Sequence, residues 1–193
     1  MINVCSGDII IDLGANIGEV TSFFSRHKAL VLCFEPNPYA YEHLSKRFEK
    51  YKNVKCYNKA VVGDKNKSKV KLFLHERAEE DQIKFSTGSS IIIEKNNVSK
   101  NSFFEVDSIN FLDLVKSVTS TMKKNIKLVK MDVEGAEVEI LENLLVEEEL
   151  LGLIENMVVE THEKKIPELK DRMERIRKII KDRKIDNINL NWI

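Results

Sequence analysis

The sequence predicts an α/β fold, a doubly wound and mostly parallel sheet with helices on both faces. Three observations carry this. Short β-branched apolar runs alternate with stretches of helical period over the first sixty residues. The same alternation returns after residue 126. A glycine-containing turn follows the first run, where such sheets bind ligands at the carboxyl ends of their strands.

The elements follow in order. Ile9, Ile10 and Ile11 form a strand buried on both faces. Residues 17–27 read as a helix, with Ile17, Val20 and Phe24 on its inner face. Residues 30–34 are a second buried strand. Asn37 then suits a helix N-cap and Pro38 the first helical position, with Ala40, Leu44 and Phe48 as the apolar stripe. Residues 54–57 make a third strand, so right-handed crossovers and a parallel sheet are expected.

The middle is less periodic. Residues 70–74 read as extended, with 103–106 pairing to them as a hairpin, and residues 76–90 as a loop. A short helix is expected over 107–116. Residues 126–131 are the next strand and 134–145 the next helix, with Ile140, Leu141, Leu144 and Leu145 inward. A strand at 156–160, a charged helix at 167–181 and an extended piece at 188–193 complete the chain. With no internal repeat or low-complexity linker, residues 1–193 are read as a single domain.

Composition limits the partners. Thirty-one basic residues balance thirty-one acidic ones, so neither nucleic acid nor a membrane surface is the expected partner. No apolar run approaches the roughly 18–20 residues of a membrane span. Residues 1–8 lack the basic-then-apolar order of a secretion signal. Cys5, Cys33 and Cys56 show no metal-type spacing and read as reduced thiols, which places the chain in the cytoplasm.

The turn after the first strand is Asp12-Leu13-Gly14-Ala15-Asn16-Ile17-Gly18. Glycines let backbone approach a ligand, and the helix that follows offers unpaired N–H groups. Glu35 ends the second strand, at a separation from Gly14 that suits an acid accepting both hydroxyls of a ribose. A dinucleotide site wants G-x-G-x-x-G beneath its pyrophosphate, whereas this turn reads G-x-N-x-G. S-adenosylmethionine carries a ribose, an adenine, an amino-acid head and a cationic sulfonium but no phosphate. Asp12 beside the turn suits such a cation.

Further segments complete a family pattern. IDLGANIG (11–18), FEPNPYAYEHL (34–44), NKAVVGD (58–64), TGSS (87–90), KMDVEGAEVEIL (130–141) and VVETH (158–162) stand in one order. Together they resemble the FkbM-type methyltransferases, a branch of the class I S-adenosylmethionine-dependent enzymes. The resemblance implies a Rossmann-like sheet of the seven-stranded type. It implies that Asp12, Gly14, Ala15, Asn16 and Gly18 form the turn at the amino-acid end of the cofactor. It puts Glu35 on the ribose, and Asn37 and Ala60 around the adenine. Transfer to a hydroxyl of a sugar, glycan or small-molecule natural product is the chemistry implied. Only about eight residues precede the first strand, and one strand follows the last helix where the family has an antiparallel pair. The last strand is therefore expected to be missing or supplied otherwise.

In-line methyl transfer needs an oriented hydroxyl and a group to take its proton. Asp132 ends a central strand and Glu134 follows it, so both are expected on the substrate side, one as base or orienter. His162, past the fifth strand, is a second candidate base, with an ordinary pKa of about 6.5. Catalysis without a metal is the expectation. Asp132, Glu134, Glu160 and His162 would nonetheless suit a divalent cation by ligand type. Thr87 to Ser90 read as a mobile polar lip over the substrate, or as a plain turn. Two other functions share the fold. One is a non-catalytic cofactor-binding or partner module, the other a nicotinamide-dependent oxidoreductase, which the glycine spacing opposes.

Overall fold

The structure, a computed structural model, describes residues 2–192. Its first half is β1 (Ile9–Leu13), α1 (Glu19–Arg26), β2 (Leu30–Phe34), α2 (Pro38–Phe48) and β3 (Val54–Tyr57). β4 (Ala60–Val62), β5 (Lys69–His75) and β6 (Val98–Asn110) follow. The second half is α3 (Phe111–Met122), β7 (Leu128–Met131), α4 (Glu137–Val146), α5 (Glu148–Leu151), β8 (Met157–Val159), α6 (Lys170–Asp182) and β9 (Ile188–Asn189).

The main sheet runs β3-β2-β1-β7-β8-β9, and every ladder in it is parallel. From β1 the chain winds outward one way to β3 and, after the middle segment, the other way to β9. The switch point therefore lies between β1 and β7, where a doubly wound sheet opens a ligand crevice. The doubly wound α/β expectation holds, with six strands in this sheet among the described residues. β9 runs parallel to β8, so the antiparallel pair of the seven-stranded type is not formed among them.

Strand alternation explains why both faces are covered. Ile9, Ile11 and Leu13 pack with Leu114 and Val115 of α3, Ile140 and Leu144 of α4, and Met173 and Ile176 of α6. Ile10 faces the other way, with Phe24 of α1 and Leu44 and Phe48 of α2. Asp12 shares Ile10's face, which aims its carboxylate at α1 rather than at open solvent.

Between the two halves, β4, β6 and β5 make a second, three-stranded sheet. β5 and β6 are antiparallel, with Leu72 opposite Phe104, so the hairpin pairing expected for 70–74 and 103–106 is present in a longer form. The helix expected over 107–116 is displaced. Asp107 to Asn110 finish β6, where Ile109 pairs with Val61 of β4. α3 then starts at Phe111, capped by Asn110, whose side chain accepts the Asp113 N–H at 3.1 Å. The helix expected from residue 134 starts at Glu137, because Glu134 and Gly135 take left-handed φ values of 53° and 113°. The C-terminal helix is preceded by a 3-10 turn, Pro167–Leu169. Among the described residues no helix is long and apolar enough to cross a membrane.

Candidate active site

At the carboxyl ends of β1, β2 and β7 lies a cavity of about 330 Å³, within the roughly 300–1,000 Å³ typical of small-molecule sites. Gly14, Asn16, Phe34, Glu35, Pro36 and Ala60 line one wall. Asp132, Val133, Glu134, Glu160 and Lys165 line the facing one, and Ser86, Thr87, Ser89 and Ser90 lie along the rim. Of the residues singled out from sequence, Gly14, Asn16, Glu35, Ala60, Asp132 and Glu134 border this space directly. Asp12, Ala15, Gly18, Asn37 and His162 stand behind it, each at most 5% exposed where exposure is given.

The first wall is a tied turn. Gly14 and Ala15 both donate backbone N–H groups to the Phe34 carbonyl, at 2.9 and 3.1 Å. A Cβ on Gly14 would sit 1.7 Å from the Asp132 carbonyl oxygen, so β1 can pass beside β7 only with glycine there. Gly18, at φ 84°, caps α1, and its Cβ would fall 2.4 Å from the Phe48 ring. Packing thus fills the room both glycines leave, and Gly14 alone also borders the cavity. Asn16, at φ 48°, donates its N–H to Glu35 Oε2 at 2.8 Å, and Asn37 N–H donates to Oε1 at 2.8 Å. Burial pushes the Glu35 carboxyl up to about 7, although those two N–H groups and Lys130 favour its charge.

Asn37 accepts the Tyr39 N–H at 3.0 Å as the cap of α2, and its Nδ2 donates to Ser89 Oγ at 3.2 Å. Ser86 Oγ donates to Asn16 Oδ1 at 3.2 Å. Ser90 Oγ donates to the Glu134 carbonyl. The segment read as a mobile lip or a plain turn is tied to both walls through Ser89 and Ser90.

The facing wall is built from charge. It reaches back to Asp12, which is fully buried behind the first wall; Asp12 Oδ2 accepts from Thr21 Oγ1 at 2.6 Å, and its Oδ1 has no hydrogen-bond partner. Lys130 is Asp12's register partner across β1 and β7. Its ammonium lies 3.5 Å from Asp12 and 3.6 Å from Asp132 Oδ2, and donates to the Gly14 carbonyl at 2.8 Å. Burial raises the Asp132 carboxyl, Lys130 opposes that rise, and Glu134 adds to it. Glu134 Oε2 stands 2.6 Å from Lys95, whose side chain is wholly buried and donates to the Gly88 carbonyl at 2.7 Å. Burial pushes Lys95 down, against the pull of Glu134.

His162, 1% exposed, lies at the back of this wall. Its Nε2 is 3.2 Å from Glu134, 3.6 Å from Glu160 and 3.7 Å from Asp132. Glu137, fully buried, accepts the Gly135 and His162 backbone N–H groups at 2.7 and 2.9 Å, with Oε1 3.4 Å from His162 Nδ1. Burial alone would lower His162; Glu137, Glu134 and Asp132 outweigh it and raise the imidazole above its ordinary value.

Sequence reasoning missed Lys95, Lys130 and the depth of Glu137. Lys130 had a signal, a lysine inside the buried run Leu128-Val129-Lys130-Met131 opposite an acid at the same height of the first strand. Lys95 had none, because it lies in an irregular segment whose burial depends on residues 134 and 88.

A small-molecule pocket at the switch point of a parallel, doubly wound sheet, with an acid closing β2, defines a nucleotide-cofactor type of α/β protein. Residues 12–184 match the family model described as the methyltransferase FkbM domain, and the chain belongs to that family of S-adenosylmethionine-dependent methyltransferases. No curated protein matches it in sequence. Among solved structures it is similar to a precorrin 8w decarboxylase of Methanobacterium thermoautotrophicum, at 13% identity and TM-score 0.46, covering 95% of this chain and 66% of that one. It is similar to phosphoethanolamine N-methyltransferase 1 of Haemonchus contortus, at 14% identity and TM-score 0.34, covering 74% and 20%. It is also similar to a SAM-dependent methyltransferase from Aquifex aeolicus, at 13% identity and TM-score 0.34, covering 74% and 52%. The chain spans less than two thirds of each of these chains, and likenesses this distant carry nothing about substrate.

Proposed function

We propose that this chain transfers a methyl group from S-adenosylmethionine to a hydroxyl oxygen of a sugar, glycan or small-molecule natural product. One observation carries the reading. A single cavity has a ribose-type acid on one wall, Glu35, and a cluster of carboxylates on the other, Asp132, Glu134 and Glu160.

The residues fit the cofactor. Each Glu35 oxygen accepts one backbone N–H and keeps lone-pair capacity for one ribose hydroxyl. Phe34, Pro36, Ala60 and Val61 offer an apolar slot for adenine. Gly14 and Asn16 border the place for the amino-acid end. Asp12, Ala15, Gly18 and Asn37 shape that wall from behind. When bound, the cofactor would supply a methyl group on a cationic sulfonium.

The chain's own work is then positioning and proton removal. Asp132 and Glu134 hold the acceptor hydroxyl against the cofactor side and take its proton. The burial-raised Asp132 carboxyl binds a proton more firmly than an ordinary aspartate. Lys95 and the left-handed turn fix Glu134 in place. An acid wall also repels a phosphate backbone, which favours a neutral polyhydroxyl acceptor over nucleic acid. The test is a methyl-release assay against sugar and polyol libraries, run with calorimetry of the cofactor. Turnover on a hydroxyl acceptor, lost in Asp132→Asn and Glu134→Gln while cofactor binding persists, supports the reading. Cofactor binding without turnover on any such acceptor would leave a binding module instead.

A further inference from the structure

We propose that Asp132, Glu160 and His162 hold a divalent transition-metal ion on the carboxylate wall of the cavity. The three side chains offer two carboxylate oxygens and one imidazole nitrogen, with all donor atoms within 4.8 Å of one another. Two donors each about 2.1 Å from one ion are at most about 4.2 Å apart. The Asp132 and Glu160 oxygens already stand 3.7 and 3.6 Å from His162 Nε2. The remaining pair, Asp132 and Glu160, lies within 4.8 Å, and the Glu160 side chain is 32% exposed.

Two independent features point to a ligand. The first is His162 itself. It is 1% exposed, and neither ring nitrogen has a hydrogen-bond partner, although Nε2 faces three carboxylates. A buried polar group left unpaired is costly unless something binds it. The second is the support behind the ring. Glu137 Oε1 lies 3.4 Å from Nδ1 and is itself held by two backbone N–H groups. A carboxylate beside the far nitrogen is the usual companion of metal-binding histidines, and a hydrogen bond to it would select the tautomer that presents Nε2 to a metal.

Charge supports the same assignment. Four carboxylates, Asp132, Glu134, Glu137 and Glu160, approach one imidazole within 4 Å. Of the lysines nearby, Lys95 pairs with Glu134 and Lys130 with Asp12 and Asp132 Oδ2, while Lys165 lines the wall with no ion pair within 4 Å among the described residues. Asp132 Oδ1 and Glu160 keep no cation of their own. The mixed oxygen and nitrogen donors suit Mn²⁺ or Zn²⁺ better than Mg²⁺ or Ca²⁺, which take oxygen alone. Asp132 and Glu160 line the cavity, so open coordination positions would face the acceptor and admit one of its oxygens. The sequence expectation of a metal-free site changes accordingly. Ion binding stands on these side chains alone, and only its use by an acceptor rests on the methyl-transfer reading.

The experiment uses the full chain, stripped with chelator and free of cofactor. Mn²⁺ is titrated by electron paramagnetic resonance and Zn²⁺ by calorimetry. The expected result is one ion per chain, weakened about tenfold or more by each of Asp132→Asn, Glu160→Gln and His162→Gln. Glu142→Gln, on the surface pair with Arg172, leaves the affinity unchanged. Should the buried His162 variant fail to fold, Glu160→Gln and Asp132→Asn decide the matter. No binding of either metal overturns the proposal, and so does binding that these variants do not weaken; His162 is then an imidazolium answering the acids. Cofactor calorimetry on the same sample separates the two readings. Cofactor binding without metal removes the ion alone, and metal binding without cofactor removes the methyl-transfer reading alone.

Discussion

The two walls of the cavity are built on opposite plans. On the cofactor wall, polar groups are answered by backbone. Both Glu35 oxygens take backbone N–H groups, Asn37 caps the helix it precedes, and the turn hangs on the Phe34 carbonyl. On the acceptor wall, charged side chains answer one another, or nothing does. Glu134 sits in a left-handed conformation that non-glycine residues seldom adopt, and His162 keeps ring nitrogens without hydrogen-bond partners in the interior. A satisfied wall can be rigid and specific for one cofactor. An unsatisfied one stores the charge and strain from which chemistry on a second molecule is built.

That contrast breaks first at the acids. Asp132→Asn or Glu134→Gln should lower turnover by about 10²–10⁴-fold, the worth of a positioned proton acceptor, and leave cofactor affinity within a few-fold. A parallel fall in cofactor affinity would mean the walls are not separate. Gly14→Ala comes next. With a Cβ 1.7 Å from backbone oxygen and φ at 71°, it should cost about 3 kcal/mol of stability or more, read by urea unfolding. Gly18→Ala should cost less, since Phe48 and Leu44 are side chains that can shift.

Glu35→Gln should weaken S-adenosylmethionine about tenfold to a hundredfold, from about 1.5–3 kcal/mol per charged hydrogen-bond set, with unfolding midpoints little changed. The smallest effect is its pH dependence. Burial raises this acid to about 7, so it is mostly neutral below that value and mostly charged above it. The charged form accepts the ribose hydroxyls, so affinity should rise several-fold from about pH 6 to about pH 8. In Glu35→Gln that slope should vanish; a slope that survives assigns the titration to another group.

Legibility in the sequence followed the same division. β1 through β3 with their two helices were readable because each element states its own period, and Asn37-Pro38 marks a helix start by type alone. β4 was not, since three residues become a strand only by pairing with Ser108 to Asn110. The same pairing delays α3, which local apolar spacing starts too early. The positions of Asp132 and Glu134 on the cavity were legible from the strand end. The burial of His162 was not, because Glu163 and Lys164 beside it suggest an exposed loop, while Glu137 of α4 holds the backbone of His162 inside. Lys95 owes its place to contacts with Gly88 and Glu134 that no local pattern announces.

The central claim is that one cavity joins an S-adenosylmethionine wall at Asp12 to Gly18 and Glu35 to a separate acceptor wall. Calorimetry of S-adenosylmethionine with the wild-type chain, Glu35→Gln and Asp132→Asn tests it most directly. The expected result is micromolar, one-to-one binding, lost largely in Glu35→Gln and kept in Asp132→Asn, with no heat from NAD. Binding indifferent to Glu35, or NAD binding in its place, would contradict it.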